Sequence, residues 1–333
     1  MSAADLDRMW CVVPVAGSGS RLRPHTHTRP KPLVPVAGKP ILGHILDAVV
    51  AAGVRRVALI TGAMGDQIVA YVRAHPGLQD IERVEQGERL GLGHAIYQVR
   101  DVVGSDPMLI VYGDTIFRAD LAGVLAARAD LQLGVKQVPD PSRYGVVVEC
   151  GGRVRRLVEK PDAFVSDQAI VGVNVVRASE LLFASLARLM QNQQRTQGEY
   201  QLTDAFQLML EAGADVRTFP VADWFDCGTV EALLAANRHL LDGSAPSQPL
   251  PDCVVVPPVY VAASAQVSQC ILGPYVSIGA DAQVERSIAQ NAIIGDKAVV
   301  SAAHLADTIV GYGACVTGKA QRLNVGDMSE VSG

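Results

Sequence analysis

The sequence predicts an α/β fold with a mainly parallel sheet, followed by a smaller β-helix. Up to about residue 240, short apolar runs alternate with amphipathic segments that have helical spacing. This alternation is typical of a parallel sheet covered by helices on both faces. Beyond about residue 250, apolar residues recur at intervals of six, a period typical of a β-helix with short faces.

The first predicted elements alternate between strands and helices. The run WCVVPVA (10–16) predicts a buried strand, and ILGHILDAVVAAG (41–53) predicts a helix that Gly53 ends. The next elements are a strand at 55–62, a helix at 66–75, a strand at 81–86, a helix at 93–103 and a strand at 108–114. Because these strands are largely apolar, we expect the sheet to be buried between helices.

A run of strands with few helices follows. The strand-like segments, rich in β-branched residues, are 133–138, 145–150, 153–160 and 169–176. Consecutive strands without helical connections predict an antiparallel extension of the sheet. Amphipathic segments at 180–193 and 229–243 predict the helices that close this region.

The rest of the chain predicts a linker and the β-helix. Gly, Ser and Pro are concentrated in DGSAPSQPLPD, which predicts a linker at 243–252 between a domain at 1–242 and a domain at 253–333. In the second domain the six-residue period is carried by Leu272, Ile278 and Val284, and then by Ile288, Ile294 and Val300. This spacing favours a β-helix over an ordinary β-rich tail.

The composition narrows the classes of partner. The formal net charge is −5, which provides no general attraction to nucleic acid or to an anionic membrane. The chain shows no signal peptide and no apolar run long enough to span a bilayer. The six cysteines lack zinc-site spacing, and we interpret them as residues of a reducing compartment. We therefore expect a cytoplasmic protein without nucleic acid or membrane partners.

The loop after the first strand, GSGSRLRP, has the composition of an anion-binding site. Gly17 and Gly19 have the spacing of a dinucleotide fingerprint, but Leu22 stands where that fingerprint has its third glycine. The P-loop pattern does not occur in the sequence. Glycine N–H groups can approach phosphate oxygens closely, Arg21 can add a bidentate contact, and Lys31 can add a point charge. By themselves these residues are also compatible with a solvated charged loop.

Seven segments follow one another along the chain: GSGSRLRP…PKPLVPVAGKP, EQGERLGLGHA, YGD, RYGVV, VEKP, GEYQLTDA and WFDCGTVEALLAAN. In this order they resemble the motifs of the sugar-phosphate nucleotidylyltransferases, most closely the long-form glucose-1-phosphate thymidylyltransferases. Ser20 replaces the usual Thr of the first segment and keeps its hydroxyl. The resemblance implies a Rossmann-like nucleotidyltransferase domain followed by a hexapeptide-repeat left-handed β-helix. It also implies that a sugar 1-phosphate attacks a nucleoside triphosphate and that pyrophosphate leaves.

The resemblance implies a role for each matching residue. The nucleotide-binding positions are Ala16, Gly17, Gly19, Ser20, Arg21, Gln86 and Gly91, and the sugar-phosphate-binding positions are Gly145, Glu159, Lys160 and Gly172. The catalytic positions are Arg21, Lys31 and Lys160. Asp114 and Asp226 correspond to ligands of Mg²⁺, which usually takes one or two carboxylates together with phosphate oxygens. Without the resemblance, each aspartate would more often be a turn or capping residue.

The sequence indicates the substrates less precisely than it indicates the reaction. The segment from Gln86 to Gly91 resembles that of members using UTP or dTTP, which differ by one methyl group. Members that use N-acetylhexosamine carry Asn two residues before the glycine corresponding to Gly172, whereas this chain has Ile170. We therefore expect glucose 1-phosphate as the acceptor, with a uridylyltransferase for another hexose or N-acetylhexosamine 1-phosphate as the alternative. We interpret His94 as a structural residue.

Alternatives of a different class are also open. In the first alternative the protein is an acyltransferase and the β-helix is its active part. Such enzymes usually need a catalytic histidine, and this region contains a single histidine, His304. A non-catalytic homologue that only binds nucleotide sugars would not require both Asp114 and Asp226. We expect the β-helix to serve as an oligomerisation element, which makes the protein a homo-oligomer.

Overall fold

A computed structural model of the protein describes residues 3–243 and 249–318. Within these residues the chain forms two compact units. The first comprises Lys39–Leu233 and the preceding residues as far as Val34, and the second comprises Pro35–Gly38 and the residues from Leu234 onward. Part of the predicted linker, at 244–248, lies outside the described residues, as do residues 319–333 of the predicted β-helix domain. The predicted boundaries at 242 and 253 stay a prediction.

Most helices lie where amphipathic spacing predicts them. The helices of the described chain are α1 (Ala3–Arg8), α2 (Ile41–Ala51), α3 (Gly65–Arg73), α4 (Leu92–Tyr97), α5 (Arg100–Val103), α6 (Leu121–Ala126), α7 (Ser179–Gln191), α8 (Leu202–Glu211) and α9 (Val230–Asp242). The single helix predicted at 93–103 is therefore two short helices, α4 and α5. None of the helices that the structure describes is both long and apolar enough to cross a membrane.

The prediction missed α8, although its signal is present in the sequence. Leu202, Ala205, Phe206 and Met209 are buried and follow one another at helical spacing. They face an apolar cluster that also contains residues of α4 and α7. The motif GEYQLTDA, in which α8 begins, thus joins a loop to a core helix.

The strands before residue 227 are β1 (Trp10–Pro14), β2 (Pro35–Val36), β3 (Lys39–Pro40), β4 (Arg56–Thr61), β5 (Asp80–Glu85), β6 (Met108–Val111), β7 (Thr115–Arg118), β8 (Leu131–Gln137), β9 (Gly145–Cys150), β10 (Arg153–Glu159), β11 (Gln168–Val176), β12 (Val216–Pro220) and β13 (Asp223–Asp226). The main sheet has the order β10-β9-β11-β6-β1-β4-β5, with β8 beside β11 and β12 beside β8. Its β6-β1-β4-β5 part is parallel, and β11 joins β6 antiparallel. The predicted parallel sheet with an antiparallel extension is confirmed.

The parallel strands are buried because helices cover the sheet. β1, β4 and β6 are apolar through almost their whole length, as strands with two covered faces must be. On one face, Val12, Ile60 and Ile110 pack in the same cluster as residues of α4, α7 and α8. The connections after these strands emerge together at their carboxyl ends, where open α/β sheets bind ligands.

The second unit contains a parallel β-helix. Its strands are β14 (Val254–Val255), β15 (Val259–Val261), β16 (Gln266–Ser268), β17 (Ile271–Leu272), β18 (Val276–Ile278), β19 (Gln283–Glu285), β20 (Ile288–Ile294), β21 (Val299–Ser301), β22 (His304–Val310) and β23 (Cys315–Thr317). Every pairing among them is parallel in the described residues. The predicted coil architecture is confirmed, while its handedness stays a prediction.

The repeat is shorter than the six-residue period predicts. Leu272 stacks on Ala289, which is 17 residues later, and Ile278 stacks on Ile294, which is 16 residues later. Ala289 is therefore the inward residue and is 1% exposed, whereas Ile288 points outward and is 42% exposed. The period correctly identified the other five inward positions, and it was wrong at Ile288.

Candidate active site

A cavity of about 320 Å³ opens at the carboxyl ends of β1 and β6, within the first unit. Of the residues predicted for the site, it is lined by Ala16, Gly17, Lys31, Gln86, Gly91 and Asp114. These residues come from the loop after β1, the short segment around residue 31, the connection between β5 and α4, and the turn after β6. The parallel sheet brings them together because its strand ends share one edge.

A cation and two carboxylates form the charged part of the site. The Lys31 Nζ lies 2.5 Å from Asp114 Oδ2 and 3.8 Å from Asp226 Oδ1. The Lys31 side chain is only 11% exposed. A nearly buried ammonium therefore compensates two aspartates that the sequence places 112 residues apart.

A two-stranded ribbon places Asp226 beside Asp114. β13 pairs antiparallel with β7, and Asp226 is in register with Thr115. The Cys227 N–H also donates a hydrogen bond to the Asp114 carbonyl, over 3.0 Å. This local geometry requires tertiary pairing between distant segments, so spacing along the chain could not reveal it.

The Asp226 carboxyl is held in a strongly perturbed environment. Burial raises its pKa, the nearby Asp114 carboxylate raises it further, and the cations Lys31, Arg21 and Arg143 oppose both effects. Its Oδ1 atom is buried and has no hydrogen-bond partner in the part of the chain that the structure describes. Such an atom is available to a cation that arrives with the substrate.

The two aspartates fit the ligand preferences of Mg²⁺. Among the described residues, no group of three or more His, Cys, Asp or Glu side chains could hold a metal ion by itself. Two carboxylates, one of which has a buried oxygen without a hydrogen-bond partner in the described residues, suit Mg²⁺, which completes its octahedral shell with water and phosphate oxygens. Asp114 and Asp226 are therefore the residues that would hold the ion.

The glycine-rich loop lies on the same side of the site. Gly19 has a φ of 60° and precedes a 3₁₀ turn at Ser20–Leu22, and its carbonyl accepts a hydrogen bond of 2.8 Å from the Thr26 hydroxyl. Arg21 lies near the second aspartate, since Arg21 Nη2 and Asp226 Oδ1 lie 2.7 Å and 3.0 Å from where a Cβ at Gly228 would be. Ser20 is exposed and does not line the cavity.

The predicted sugar-phosphate residues form an adjoining cluster. Gly145 lies against the Glu159 carboxylate and the Thr203 hydroxyl, and Lys160 Nζ is 3.8 Å from Glu159 Oε1. Burial raises the pKa of Glu159, while the Thr203 hydroxyl and the Lys160 charge oppose that effect. The Glu159 side chain is 9% exposed, so this carboxylate is also strongly desolvated.

Tyr112 connects the sugar-phosphate cluster to the charged centre. Its N–H donates to the Gly172 carbonyl over 2.9 Å. Burial raises the pKa of the Tyr112 hydroxyl, and the carboxylates of Glu159 and Asp114 both contribute in the same direction. Both carboxylates therefore lie near one aromatic side chain, which the prediction had not assigned to the site.

Gly172 lies in a β-bulge of β11. The register between β11 and β8 shifts between Ile170 and Asn174, and Gly172 has a φ of 70°. A Cβ at this position would lie 2.4 Å from the Tyr112 ring. Only glycine fits both the left-handed backbone and the aromatic contact.

Gln86 and Gly91 also line the cavity. Gln86 is 9% exposed, and its Nε2 lies 3.5 Å from the Gly91 carbonyl oxygen. Gly91 has a φ of 115°, and a Cβ there would lie 2.6 Å from the Tyr200 carbonyl oxygen. A side chain at position 91 is therefore excluded by backbone conformation and by space.

Several further residues of the site were not predicted. Arg89 and Glu199 line the main cavity, and Arg89 also lines a neighbouring cavity of about 350 Å³ beside the glycine-rich loop. Tyr144 and Trp224 meet edge to face, with ring centroids 5.0 Å apart, near Asp226. Their motifs RYGVV and WFDCGT were recognised, but only the fold shows which of their side chains meet.

The site combines a cluster of opposite charges with a buried amide. Lys31, Arg21 and Lys160 can neutralise phosphate groups, and the two aspartates can hold a divalent cation. Gln86 and the Gly91 backbone can hydrogen-bond a flat polar group. Such a site suits transfer of a phosphorus centre between large anionic substrates by positioning and charge neutralisation.

Comparisons with known sequences find a matching family and several relatives. Residues 11–243 match the family described as nucleotidyl transferase. The chain is 36% identical over 246 residues to a glucose-1-phosphate thymidylyltransferase of Streptomyces griseus, an alignment that covers 72% of this chain and 68% of that protein. It is 34% identical over 235 residues to the bifunctional protein GlmU of Methanocaldococcus jannaschii, covering 70% of this chain and 55% of that protein.

Solved structures give the same fold for the matched region. A Bacillus anthracis protein assigned as a glucose-1-phosphate thymidylyltransferase, in complex with a sucrose, superposes with a TM-score of 0.62 at 25% identity, covering 72% of this chain and 98% of that one. A UDP-glucose pyrophosphorylase in complex with UDP-glucose superposes with a TM-score of 0.60 at 23% identity, covering 71% of this chain and 99% of that one.

Proposed function

The chain belongs to the nucleotidyl transferase family, and we propose that it transfers the nucleotidyl group of dTTP or UTP to glucose 1-phosphate. The proposal depends above all on one observation: Lys31, Asp114, Gln86 and Gly91 line a single cavity. That cavity combines a place for a base with a charged centre for phosphates. These four residues come from three different sequence motifs.

The sugar-phosphate oxygen attacks the α-phosphorus, a new P–O bond forms, and the bond to the β-phosphate breaks. Lys31 and Arg21 neutralise the triphosphate and the departing pyrophosphate, because both cations lie beside the aspartate pair. When bound at Asp114 and Asp226, Mg²⁺ supplies further charge neutralisation of the phosphates. Positioning of the substrates and neutralisation of their charge then provide most of the rate enhancement, since the chemistry needs no covalent intermediate.

In this proposal the acceptor, glucose 1-phosphate, occupies the neighbouring cluster that contains Gly145, Glu159 and Lys160. Lys160 holds the sugar phosphate, and Glu159 accepts hydrogen bonds from sugar hydroxyls. Gly145 lies against Glu159 and Thr203, and Gly172 lies against Tyr112, so we place both glycines beside the sugar in this proposal. Ile170 stands where N-acetylhexosamine-using members carry Asn, which favours glucose 1-phosphate.

The experiment is a matrix of substrates. Pyrophosphate release is measured with dTTP, UTP, CTP, ATP and GTP against glucose 1-phosphate, galactose 1-phosphate and N-acetylglucosamine 1-phosphate. We expect the highest kcat/KM with dTTP or UTP and glucose 1-phosphate. A preference for N-acetylglucosamine 1-phosphate would overturn the assignment of the sugar. Equal rates with purine and pyrimidine triphosphates would overturn the role of Gln86 and Gly91.

A further inference from the structure

Asn237 forms a buried polar junction within the second unit. It is fully buried, and its Oδ1 accepts hydrogen bonds from the Ala37 N–H and from the Ser277 hydroxyl, each over 2.9 Å. Its Nδ2 donates to the Tyr275 carbonyl over 3.2 Å. One side-chain amide therefore joins α9, the turn between β2 and β3, and the coil of the β-helix that contains β18.

The partners of Asn237 determine how its amide is oriented. The Ala37 N–H can only donate a hydrogen bond, and the Tyr275 carbonyl can only accept one. A flipped amide would place Nδ2 against the Ala37 donor and Oδ1 against the Tyr275 oxygen, so the network assigns a single orientation. Because the site is buried, loss of this amide would leave the donor and the acceptor without partners.

The turn that Asn237 holds is a tight one. Ala37 and Gly38 connect β2 to β3 and have φ angles of 48° and 80°. Hairpin turns with two positive φ angles usually contain Asn, Asp or Gly, so Ala37 is held in an unfavourable backbone region by its surroundings. On the other side of the turn, a Cβ at Gly38 would overlap the Tyr260 ring of β15. The turn is thus fixed by a hydrogen bond at Ala37 and by packing at Gly38.

This hairpin continues directly from the segment that carries Lys31. The Val34 N–H donates to the Lys31 carbonyl over 3.0 Å, and the Ile41 N–H donates to the Val34 carbonyl over 3.1 Å. Val34 therefore bonds to Lys31 through its N–H and closes the base of the hairpin through its carbonyl. The backbone position of Lys31 consequently depends on the hairpin.

The helix that carries Asn237 continues from the segment of Asp226. β13 ends at Asp226, and α9 begins four residues later at Val230. Lys31 Nζ lies 3.8 Å from Asp226 Oδ1. Two chain segments that meet at Lys31 and Asp226 therefore meet a second time at Ala37 and Asn237. This second contact fixes both segments beyond the charged pair.

We propose that Asn237 is a positioning residue that fixes Lys31 relative to Asp226, through the hairpin on one side and α9 on the other. The inference rests on the proposed function, because it requires a triphosphate to be held at Lys31. It also assigns a role in nucleotidyl transfer to the coil that contains β18, since Ser277 and Tyr275 complete the junction. Asn237 does not line the cavity and acts only through the two segments.

The variant Asn237→Ala removes the junction. We expect the KM for UTP or dTTP to rise about tenfold, because the Lys31 charge is no longer held in place. We expect kcat to fall about 10- to 100-fold, since small displacements of a positioned group are costly. The KM for glucose 1-phosphate should change by less than about twofold, because its proposed cluster lies on other segments. A mere loss of folded protein would lower the apparent kcat and leave both KM values unchanged.

Arg238→Ala is the matched control. Arg238 is the next residue of α9, and its Nη1 donates to Asn291 Oδ1 of the β-helix over 3.0 Å, without contact to the hairpin turn. We expect this variant to keep the wild-type KM for the triphosphate. Tyr260→Ala disturbs the turn from its other side and should raise that KM about threefold, which keeps the proposal testable if Asn237→Ala does not fold. An unchanged KM in the variants at 237 and 260, or an equal rise in Arg238→Ala, would overturn the proposal.

Hydrogen exchange separates this inference from the proposed function, because it requires no turnover. In Asn237→Ala the amides of residues 31–41 should exchange about tenfold faster than in the wild-type protein, and in Arg238→Ala they should not. If the wild-type protein releases no pyrophosphate with any acceptor, the proposed function fails, while exchange still tests whether the junction holds the segment of Lys31. If exchange at residues 31–34 is unchanged in Asn237→Ala, the inference fails and nucleotidyl transfer stands.

Discussion

At the scale of single residues, Lys31 determines the charge balance of the site. Its ammonium lies 2.5 Å from Asp114 and 3.8 Å from Asp226, and it is nearly buried. Opposite charges in such a partly desolvated place interact more strongly than on the surface. In the proposed function, the phosphates of a triphosphate would attract Lys31 and a divalent cation would attract the aspartates, so these groups would exchange partners.

Asp114→Asn tests the carboxylate at the centre of this site. The amide cannot neutralise a cation, so we expect Mg²⁺-dependent pyrophosphate release to fall at least about 100-fold. The fold should persist, because Lys31 keeps Asp226 as a partner. The measurements are pyrophosphate release over a range of Mg²⁺ concentrations and thermal unfolding. Full activity would remove Asp114 from the metal site, and Asp101→Asn on an exposed helix position is the control.

Glu159→Gln tests the buried carboxyl of the sugar cluster. Burial raises the pKa of Glu159, so the native protein binds this proton more tightly than the unfolded chain. Its contribution to stability is therefore complete below the unfolded pKa and is lost as pH rises through the folded pKa. We expect the variant to exceed the wild-type Tm by about 2–4 °C at pH 8, with no such gain near pH 4.

The same variant should bind glucose 1-phosphate more weakly, with KM raised about tenfold, since it loses a charge-assisted acceptor. Glu180→Gln, at an exposed position of α7, provides the control for both measurements. An equal gain in Tm at both pH values would show that the charge of Glu159 is not what destabilises the native protein.

At the scale of elements, α8 and the bulge of β11 organise the acceptor cluster. α8 carries Thr203, whose hydroxyl meets Gly145 and Glu159. The bulge places Gly172 against Tyr112 and breaks the register between β11 and β8. Sequence spacing predicted the strand, but the bulge depends on the aromatic ring of a neighbouring strand end. Local propensity contains no information about that ring.

The β-helix was also predicted only in part from the sequence. The period of its apolar residues predicted stacked coils, and the stacked pairs Leu272–Ala289 and Ile278–Ile294 confirm these coils. The register at Ile288 was wrong because corners of the coil are tighter than the period assumes. Ala289 follows Val284 after five residues, and Ile294 follows Ala289 after five, and the corners between them contain Arg286 and Asn291, which both have positive φ angles. A small inward residue, Ala289, then takes the place expected for an isoleucine.

Two matched substitutions test this register. Ile294 is 1% exposed and Ile288 is 42% exposed. Ile294→Ala should cost about 2–5 kcal/mol because it opens a cavity in the coil. Ile288→Ala should change the stability by about 0.5 kcal/mol or less. Hydrogen exchange of residues 254–310 compares the two variants, and equal loss of protection would contradict the inward position of Ala289.

At the scale of the whole molecule, the expected homo-oligomer has a structural rationale in the second unit. Val254, Ile271 and Ile288 stack in register along one face of the β-helix and point outward. They are 59%, 44% and 42% exposed. A continuous ladder of exposed apolar side chains is typical of a surface that meets another protein. A second copy of the chain would cover it with an identical ladder.

Light scattering measures this association directly. We expect a mass that is a multiple of 35.2 kDa at micromolar concentration. A double variant, Ile271→Lys and Ile288→Lys, should dissociate it because like charges would meet across the interface. Gln283→Lys, exposed on another face of the coil, is the control. A monomeric wild-type protein would contradict the expectation.

The sequence by itself determined the two-part architecture, the parallel sheet with its antiparallel extension, and the motifs of a nucleotidyl transferase. These features follow from local periodicity and from short segments whose residues act together. Only the tertiary structure decided that Lys31 lies close to both Asp114 and Asp226, and that Tyr112 lies near both Asp114 and Glu159. The physical reason is that these contacts depend on strand order, register and helix packing, which bring distant segments together and leave no trace in local spacing.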